Sequence, residues 1–418
     1  TYRHDGTRGG ATAAEVSPRL APLWKTPFKT VPSAPVVADG KVFVAEVDAH
    51  IVHALDAGSG RIVWDYTAGG RVDSPPTVYK GLVLFGSRDG WVHGLRASDG
   101  ALVWRFKDLP DRLVGAHGQL ESAWPVCGSI LMLNDVAYFA AGRSSFLDGG
   151  IFLYGLNPAT GEVLHARRIY GPFDEKTGFP ATGGRAFKGD ILVTDGHLLY
   201  VRHKAFKPDL ADAASAGRHL IPSAGFLDPE PQHRTYWTLA SGFGGFTAVR
   251  GASGDILVTD GKDYYEVLGF PVHRHSYFDP RVSGYRLVAG AVGDAGEAAT
   301  GAKGKKAKGS GAAAQPRDAG EWSSPIPLTG KAMVLAGDVV FVAGAPAHFS
   351  PDHPAAKYAA AYEGKLGGVL WAASAKDGSK LAEYKLDAAP VWDGMAAAGG
   401  RLFLATADGC LRCFGPAR

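Results

Sequence analysis

The chain has 418 residues, of which 46% are hydrophobic and 20% charged, and it carries 57 glycines and 26 prolines; this is the make-up of a globular protein with many tight turns. A formal charge of +3, with lysine and arginine scattered outside a single run, argues against nucleic acid as a partner. No run of about 18 apolar residues exists, which argues against a helical membrane span.

In chain order, Thr1 to Pro18 is polar and irregular, and a start at Thr1 without Met reads as a processed or trimmed one. Residues 20–28 offer one strand, carrying Trp24. Residues 33–69 and 73–108 then say the same thing twice: Ser33 to Val44 returns as Ser74 to Phe85, and Leu55 to Trp64 returns as Leu95 to Trp104, with a period of 40 to 41 residues. Each unit has four short β-branched or aromatic runs divided by Gly and Asp turns, the sequence form of a four-stranded antiparallel blade. One blade cannot bury both of its faces, so such units stack radially into a β-propeller.

Further blades are expected over 122–170, 186–241, 252–292 and 331–386, and a last one over 391–415. The first-hairpin turns number seven, which sets a seven-bladed, all-β, single-domain propeller, with an eighth blade in the divergent middle as the alternative count. Blades over 186–241 and 252–292 share the octapeptide Gly-Asp-Ile-Leu-Val-Thr-Asp-Gly, at Gly189 to Gly196 and Gly254 to Gly261. The last unit lacks a fourth strand, and residues 20–28 are expected to supply it and close the ring. Later units lengthen between their second and third strands, and in an antiparallel blade that connection emerges on the same face as the blade-to-blade links. Residues 294–320, rich in Lys, Gly and Ala, read as a flexible insertion between blades.

The blade motif Asp56-Ala-Gly-Ser-Gly-Arg-Ile-Val-Trp64, echoed at Ser98 to Trp104, Asn157 to Leu164 and Lys376 to Leu381, resembles the repeat of the PQQ-binding-like, quinoprotein-type β-propellers. The resemblance implies that Trp24, Trp64 and Trp104, with Gly60, Gly100, Gly161 and Gly378, hold blades together. Tyr2 to Asp5, Glu121 to Val126, Gly217 to Leu220, His233 to Trp237 and Asp393 to Ala398 are similar to segments of a subgroup common in planctomycetes, whose members are generally exported. A periplasmic or otherwise exported location is therefore implied. Quinoprotein dehydrogenases of this type use eight blades, an adjacent cysteine pair and a calcium ion; Cys127, Cys410 and Cys413 include no adjacent pair, so no quinone is expected here.

Histidine is the most informative residue by position. His203, His219, His233, His273, His275, His348 and His353 are placed in the long insertions and His117 in a blade-to-blade link, eight of the 14 on one face. Candidate ligand-binding residues on that face are His117, Glu121, Trp124, Arg143, Arg185, His233, Trp237, Arg274, Trp322 and Trp392. An Arg-rich, aromatic-walled funnel suits a carboxylate or sulfate, while arginines paired with carboxylates and indoles filling blade interfaces are the structural alternative. His273 and His275 could share a metal, but no third ligand is identified and no metal is expected. The cysteines at 410 and 413 face opposite sides of a strand and read as buried small residues. Two functions remain: an exported module binding a protein or anionic glycan, and a glycan-active enzyme such as a polysaccharide lyase with His233 as base, Tyr236 as acid and Arg234 neutralising the substrate carboxylate.

Overall fold

The computed structural model describes residues 1–116, 118–179, 189–202, 204–214, 217–227, 237–242, 251–269, 284–294, 321–347 and 355–417, without the side chains of residues 355, 358 and 362. Among them, eight sheets of three to five strands succeed one another as the blades of a propeller. Blade 1 is Val36–Ala38, Lys41–Glu46, Ile51–Asp56 and Ile62–Thr67, and its construction explains the others. Its second strand alternates between two cores: Val42 and Val44 pack with Phe403 and Leu411 of the last blade, while Phe43 and Ala45 pack with Val83 and Phe85 of the next. Both faces of a blade are buried because a blade lies on each side, so its central strands read as continuous apolar runs.

The count is eight rather than seven, because the stretch read as one blade over 186–241 is divided. Leu192–Thr194, Leu199–Val201, Lys204–Phe206 and Asp212–Ala213 form blade 4, and His219–Pro222, Trp237–Ala240 and Ala252–Gly254 form blade 5. The turn at Asp195-Gly196 belongs to blade 4, whose last two strands are only three and two residues long, too short for an alternating pattern to register, so blade 5 is hidden as a continuation of the same unit. Blade 2 is Thr77–Tyr79, Leu82–Gly86, Val92–Arg96 and Leu102–Phe106, blade 3 is Leu131–Leu133, Val136–Ala141, Ile151–Leu156 and Val163–Ile169, and blade 7 is Ala332–Ala336, Val339–Gly344, Gly368–Ser374 and Lys380–Leu386. Blade 6 is Leu257–Thr259, Asp263–Leu268, Tyr285–Ala291 and Trp322–Ile326. Residues 294–320 therefore separate the third and fourth strands of one blade rather than two blades. In blade 8, Leu20–Pro27 pairs antiparallel with Cys410–Pro416 as the outer strand, beside Arg401–Thr406 and Pro390–Ala398.

Four of the eight joints between blades share one contact. Trp24, Trp64, Trp104 and Trp322, each on an outer strand, lie over Gly60, Gly100, Gly161 and Gly378 in the last turn of the following blade. A Cβ at the first three glycines would fall 2.5 to 2.7 Å from the indole ring. The same glycines have φ of +68° to +76°, a backbone state that L side chains rarely adopt. Each indole Nε1–H donates to a carbonyl of that turn, Ala57 at 3.1 Å, Ala97 at 3.1 Å, Pro158 at 2.9 Å and Ala375 at 3.0 Å. Trp322, a ligand-binding candidate from the sequence, stands instead on the outer strand of blade 6 and is the partner of Gly378. Between blades 3 and 4, Arg167 takes the indole's place, donating to the Leu210 carbonyl at 2.8 Å with its guanidinium over Phe206.

A second interblade layer stacks His93 on Phe85, with centroids 4.9 Å apart, beside Tyr66 of the preceding blade. Burial pushes the His93 imidazole down to about 4, with Arg105 adding to the effect and Asp89 opposing it. Unfolded chains bind this proton near pH 6.5 while the native ring refuses it until about pH 4, so native stability is full above pH 6.5 and declines as pH falls. Melting scans from pH 7 to pH 4 should show a loss on the order of 3 kcal/mol attributable to this ring, removed by His93→Phe. Trp64→Ala should cost roughly 3–5 kcal/mol in denaturant unfolding, and Gly100→Ala should also destabilise because it strikes the Trp64 ring.

Candidate functional site

The axis of the propeller is filled by the chain's own first residues, which sequence reading left as polar and irregular. Gly6 accepts from the Thr194 N–H at 2.9 Å, Gly9 from Thr259 at 2.8 Å and Gly10 from Leu335 at 3.0 Å, and Ala11–Thr12 then pairs in parallel with the first strand of blade 7. Thr194 and Thr259 are the same position of the repeated octapeptide, so two copies of that motif grip the segment in the same way. The segment must be glycine-rich there: a Cβ on Gly6 would fall 2.8 Å from the Thr194 methyl, and one on Gly9 would fall 2.5 Å from the Thr259 carbonyl oxygen.

At the centre lies Asp393, almost fully buried. It accepts from Tyr2 Oη at 2.6 Å and from Trp237 Nε1 at 2.8 Å, and it is ion-paired with Arg3. Arg3 also bonds the carbonyls of Arg8 and Leu257, and its guanidinium sits 4.4 Å above the Trp237 ring. Arg8, with no exposed surface, donates to the carbonyls of Tyr2, Leu192, Ser129 and Ile130. Burial lowers its affinity for the proton, to about 10, which leaves it charged at neutral pH. Burial, with Asp393 beside it, raises the Tyr2 phenol well above its ordinary range, so it stays a donor. Phe226 and Trp392 close the collar, 5.2 and 6.4 Å from the Tyr2 ring and 5.4 Å from each other.

Away from the axis on the loop-bearing face lies a buried ion network. Arg88 bonds Asp73 at 2.6 Å and Glu121 at 3.1 Å, and Arg143 meets the other oxygen of Glu121 at 3.2 Å. Burial opposes the charge on Arg88, yet the Asp73 bond holds its pKa above the ordinary value. Arg88 also donates to the Phe226 carbonyl at 3.3 Å, and Asp190 accepts the Leu227 N–H at 2.7 Å, so the network fixes the loop that carries Phe226. Burial raises the Asp190 carboxyl above the usual carboxylate range.

Of the residues proposed from sequence, the structure brings Trp237 and Trp392 to the axis and Glu121 and Arg143 into the ion network. Trp124 is buried beside them, donating to the Asp148 carbonyl at 2.7 Å. His219 belongs to a strand of blade 5 rather than to an insertion; it is stacked on Tyr200 at 3.6 Å, and burial lowers its pKa. His117, Arg185, His203, His233, Arg234, Tyr236, Arg274, His273, His275, His348 and His353 lie outside the described residues. Cys127, Cys410 and Cys413 are buried free thiols. Tyr2, Arg3, Arg8, Asp393, Asp73 and Arg88 were missed as site residues; the available signal was that Tyr2 to Asp5 and Asp393 to Ala398 both carried the subgroup resemblance, although they lie at opposite ends of the chain.

A quinone on the axis would need a planar slot and free acceptors near it. Among the described residues that space is taken by Tyr2, Arg3 and the aromatic collar, and Asp393 already holds three donors. No group of three or more His, Cys, Asp or Glu converges to hold a metal ion among them either. These residues do not fit the cofactor at the axis.

The fold and this axial arrangement define an eight-bladed β-propeller. Its blade motif is similar to the PQQ-type repeat. A family model described as outer membrane protein assembly factor BamB matches residues 11–205. A protein of that name from Xanthomonas campestris is 33% identical over 118 residues, 24% of this chain and 29% of its own length. This chain thus matches under a third of that relative. Among solved structures, a europium-containing methanol dehydrogenase aligns with a TM-score of 0.58 at 11% identity, covering 99% of this chain and 98% of that one. A quinohemoprotein alcohol dehydrogenase from Comamonas testosteroni aligns at 0.56 and 15% identity, covering 100% and 81%. At such identities the likeness to the two dehydrogenases shows the fold alone.

Asp393→Asn removes the charge that Arg3 is paired with in a dry site, which should cost roughly 3–5 kcal/mol in unfolding free energy. Amide exchange of residues 2–12 should rise more than that of the blades; equal protection in both proteins would mean the segment is held by its backbone bonds alone.

Proposed function

We propose that this propeller is a protein-binding scaffold of the exported compartment that works without chemistry of its own. The observation that carries the reading is the commitment of the polar groups at the axis and in the network beside it. Asp393, Arg3, Arg8, Arg88 and Glu121 are buried and engaged with one another or with backbone carbonyls. A catalytic centre needs a group free to exchange a proton with substrate, and an anionic-glycan site needs unspent cations. The described arginines of this face are already spent, which favours a protein partner over a polyanionic sugar. The partial match to proteins named as outer membrane protein assembly factors supports both the scaffold role and the exported location, and no helix among the described residues is long and apolar enough to cross a membrane.

The test places a photo-crosslinking amino acid at Leu147 or Phe179 on the loop-bearing face and, as a control, at Lys41 beside an opposite-face turn. Discrete protein adducts in cells from the first two positions, and none from the third, are expected. Absence of adducts from both loop-face positions would refute the scaffold reading. Formation of unsaturated products from a uronic-acid polymer, abolished by His233→Ala, would replace it with the lyase reading.

A further inference from the structure

Between blades 2 and 3 the chain leaves the propeller as a two-stranded hairpin, Leu113–Ala116 and Gln119–Ser122, paired Leu113 to Ser122 and Gly115 to Leu120. No third strand joins it among the described residues, so one row of N–H and C=O groups along Leu113–Ala116 has no backbone partner. The hairpin is nevertheless anchored. Glu121 at its base is the buried acceptor of Arg88, the Ser122 N–H donates to the Arg88 carbonyl at 2.7 Å, and Gln119 near its tip bonds His50 Nε2 at 2.7 Å. Glu121 and Val114 take the face turned to the propeller; Leu113, Gly115 and Leu120 take the other, where Leu120 is 68% exposed and a Cβ on Gly115 would meet nothing.

That outward face does not stand alone. Arg112 at the hairpin base is paired with Asp148 at 2.8 Å in the loop carrying Leu147. Ser145 of the same loop accepts the Gly171 N–H at 2.8 Å, and Phe146 packs on Phe173 at 5.3 Å, in the segment carrying Tyr170 and the 73% exposed Phe179. Leu113, Leu120, Leu147, Tyr170 and Phe179 are thus five exposed apolar side chains on three segments bonded in series, the loop of Leu147 lying between the other two. Most of the other exposed apolar residues sit apart on outer strands, such as Ile62 and Val63, or Leu102 and Val103. Three cations bordering the patch are committed, Arg112 to Asp148, Lys107 to Asp111, and Arg168 to the Gly149 carbonyl and the Tyr170 ring, while Lys176, between Tyr170 and Phe179, is exposed.

We propose that the free edge at Leu113–Ala116 takes an extended, alternately apolar segment of a partner protein as a third strand, its apolar side chains resting on Leu113, Leu120 and the adjoining patch. This rests on the scaffold reading and names its surface. An unpaired strand edge presents N–H and C=O groups in a row that another extended backbone matches at the same spacing, a repeat that lipid headgroups and sugars do not carry. A rigidly based hairpin holds that edge in place before binding, which reduces the ordering cost of adding a strand.

The test uses the whole chain and a short fluorescent peptide alternating valine and threonine, with a proline-interrupted version as control. Anisotropy should show saturable binding of the first, weakened about tenfold or more by the prolines and by L113S with L120S together, while the melting temperature of the double variant is unchanged because both leucines are exposed. Equal binding by the double variant, equal binding of the proline peptide, or no binding by the native chain would each overturn the proposal. Concentration-dependent sedimentation of the native chain that the double variant loses would give the surface to a second copy, and flotation with phosphatidylcholine vesicles would give it to a membrane; either result overturns the proposal too. Adducts from the cross-linking experiment that persist in the double variant would sink this surface but leave the scaffold reading standing.

Discussion

An indole lying flat on a glycine is the contact on which this molecule depends. A ring of wedges closes only if every joint has nearly the same width, and the width is set where the outer strand of one blade meets the last turn of the next. Trp24, Trp64, Trp104 and Trp322 each supply a large plate and a donor; the glycine beneath supplies both the positive φ and the missing Cβ. At one of the joints without that pair, between blades 3 and 4, Arg167 over Phe206 fills the space with a different shape, and the blade that follows has strands of only two or three residues.

The axis follows from that closure. Eight inner strands converge around a space that side chains of ordinary length do not fill from one side, and this chain fills it with its own first residues. Arg3 and Arg8 are held there because carbonyls of Leu257, Leu192, Ser129 and Ile130 point inward at the right level, and Asp393 balances the charge. Buried ions in such a place are expensive unless every donor is met; here the pairing of residues from opposite ends of the chain meets them. The result is a centre whose described charges are committed to one another, which on the proposed reading leaves recognition to the loops and the hairpin.

Much of the architecture was legible, for reasons that individual residues make plain. The two clear blades could be read because both faces of a blade are buried and the turns between strands demand Gly, Asp or Asn at fixed places. The pairing of Leu20–Pro27 with Cys410–Pro416 was anticipated from simple deficit, one end having a spare strand and the other lacking one. Gly378 was marked as structural without an indole to match it, and that unmatched glycine was the clue that Trp322 belonged to a joint. Blade 5 stayed hidden because the last two strands of blade 4, of three and two residues, have no period to detect and give no sign that one unit has ended, and the octapeptide signalled repetition without revealing that both copies hold the same glycine-rich segment.

Local chemistry therefore settled what depends on near neighbours along the chain: a β-propeller, its PQQ-type repeat, its turns and the glycines within them. Distance in space settled the rest. Tyr2 and Arg3 meet Asp393 across nearly the whole chain, and Glu121, read as a ligand-binding candidate, turns its carboxylate inward to Arg88. The hairpin at Leu113–Ser122 was invisible as a surface because two exposed leucines in a row of loop residues look like any others; only the packing around them shows that one face is anchored and the other is left open.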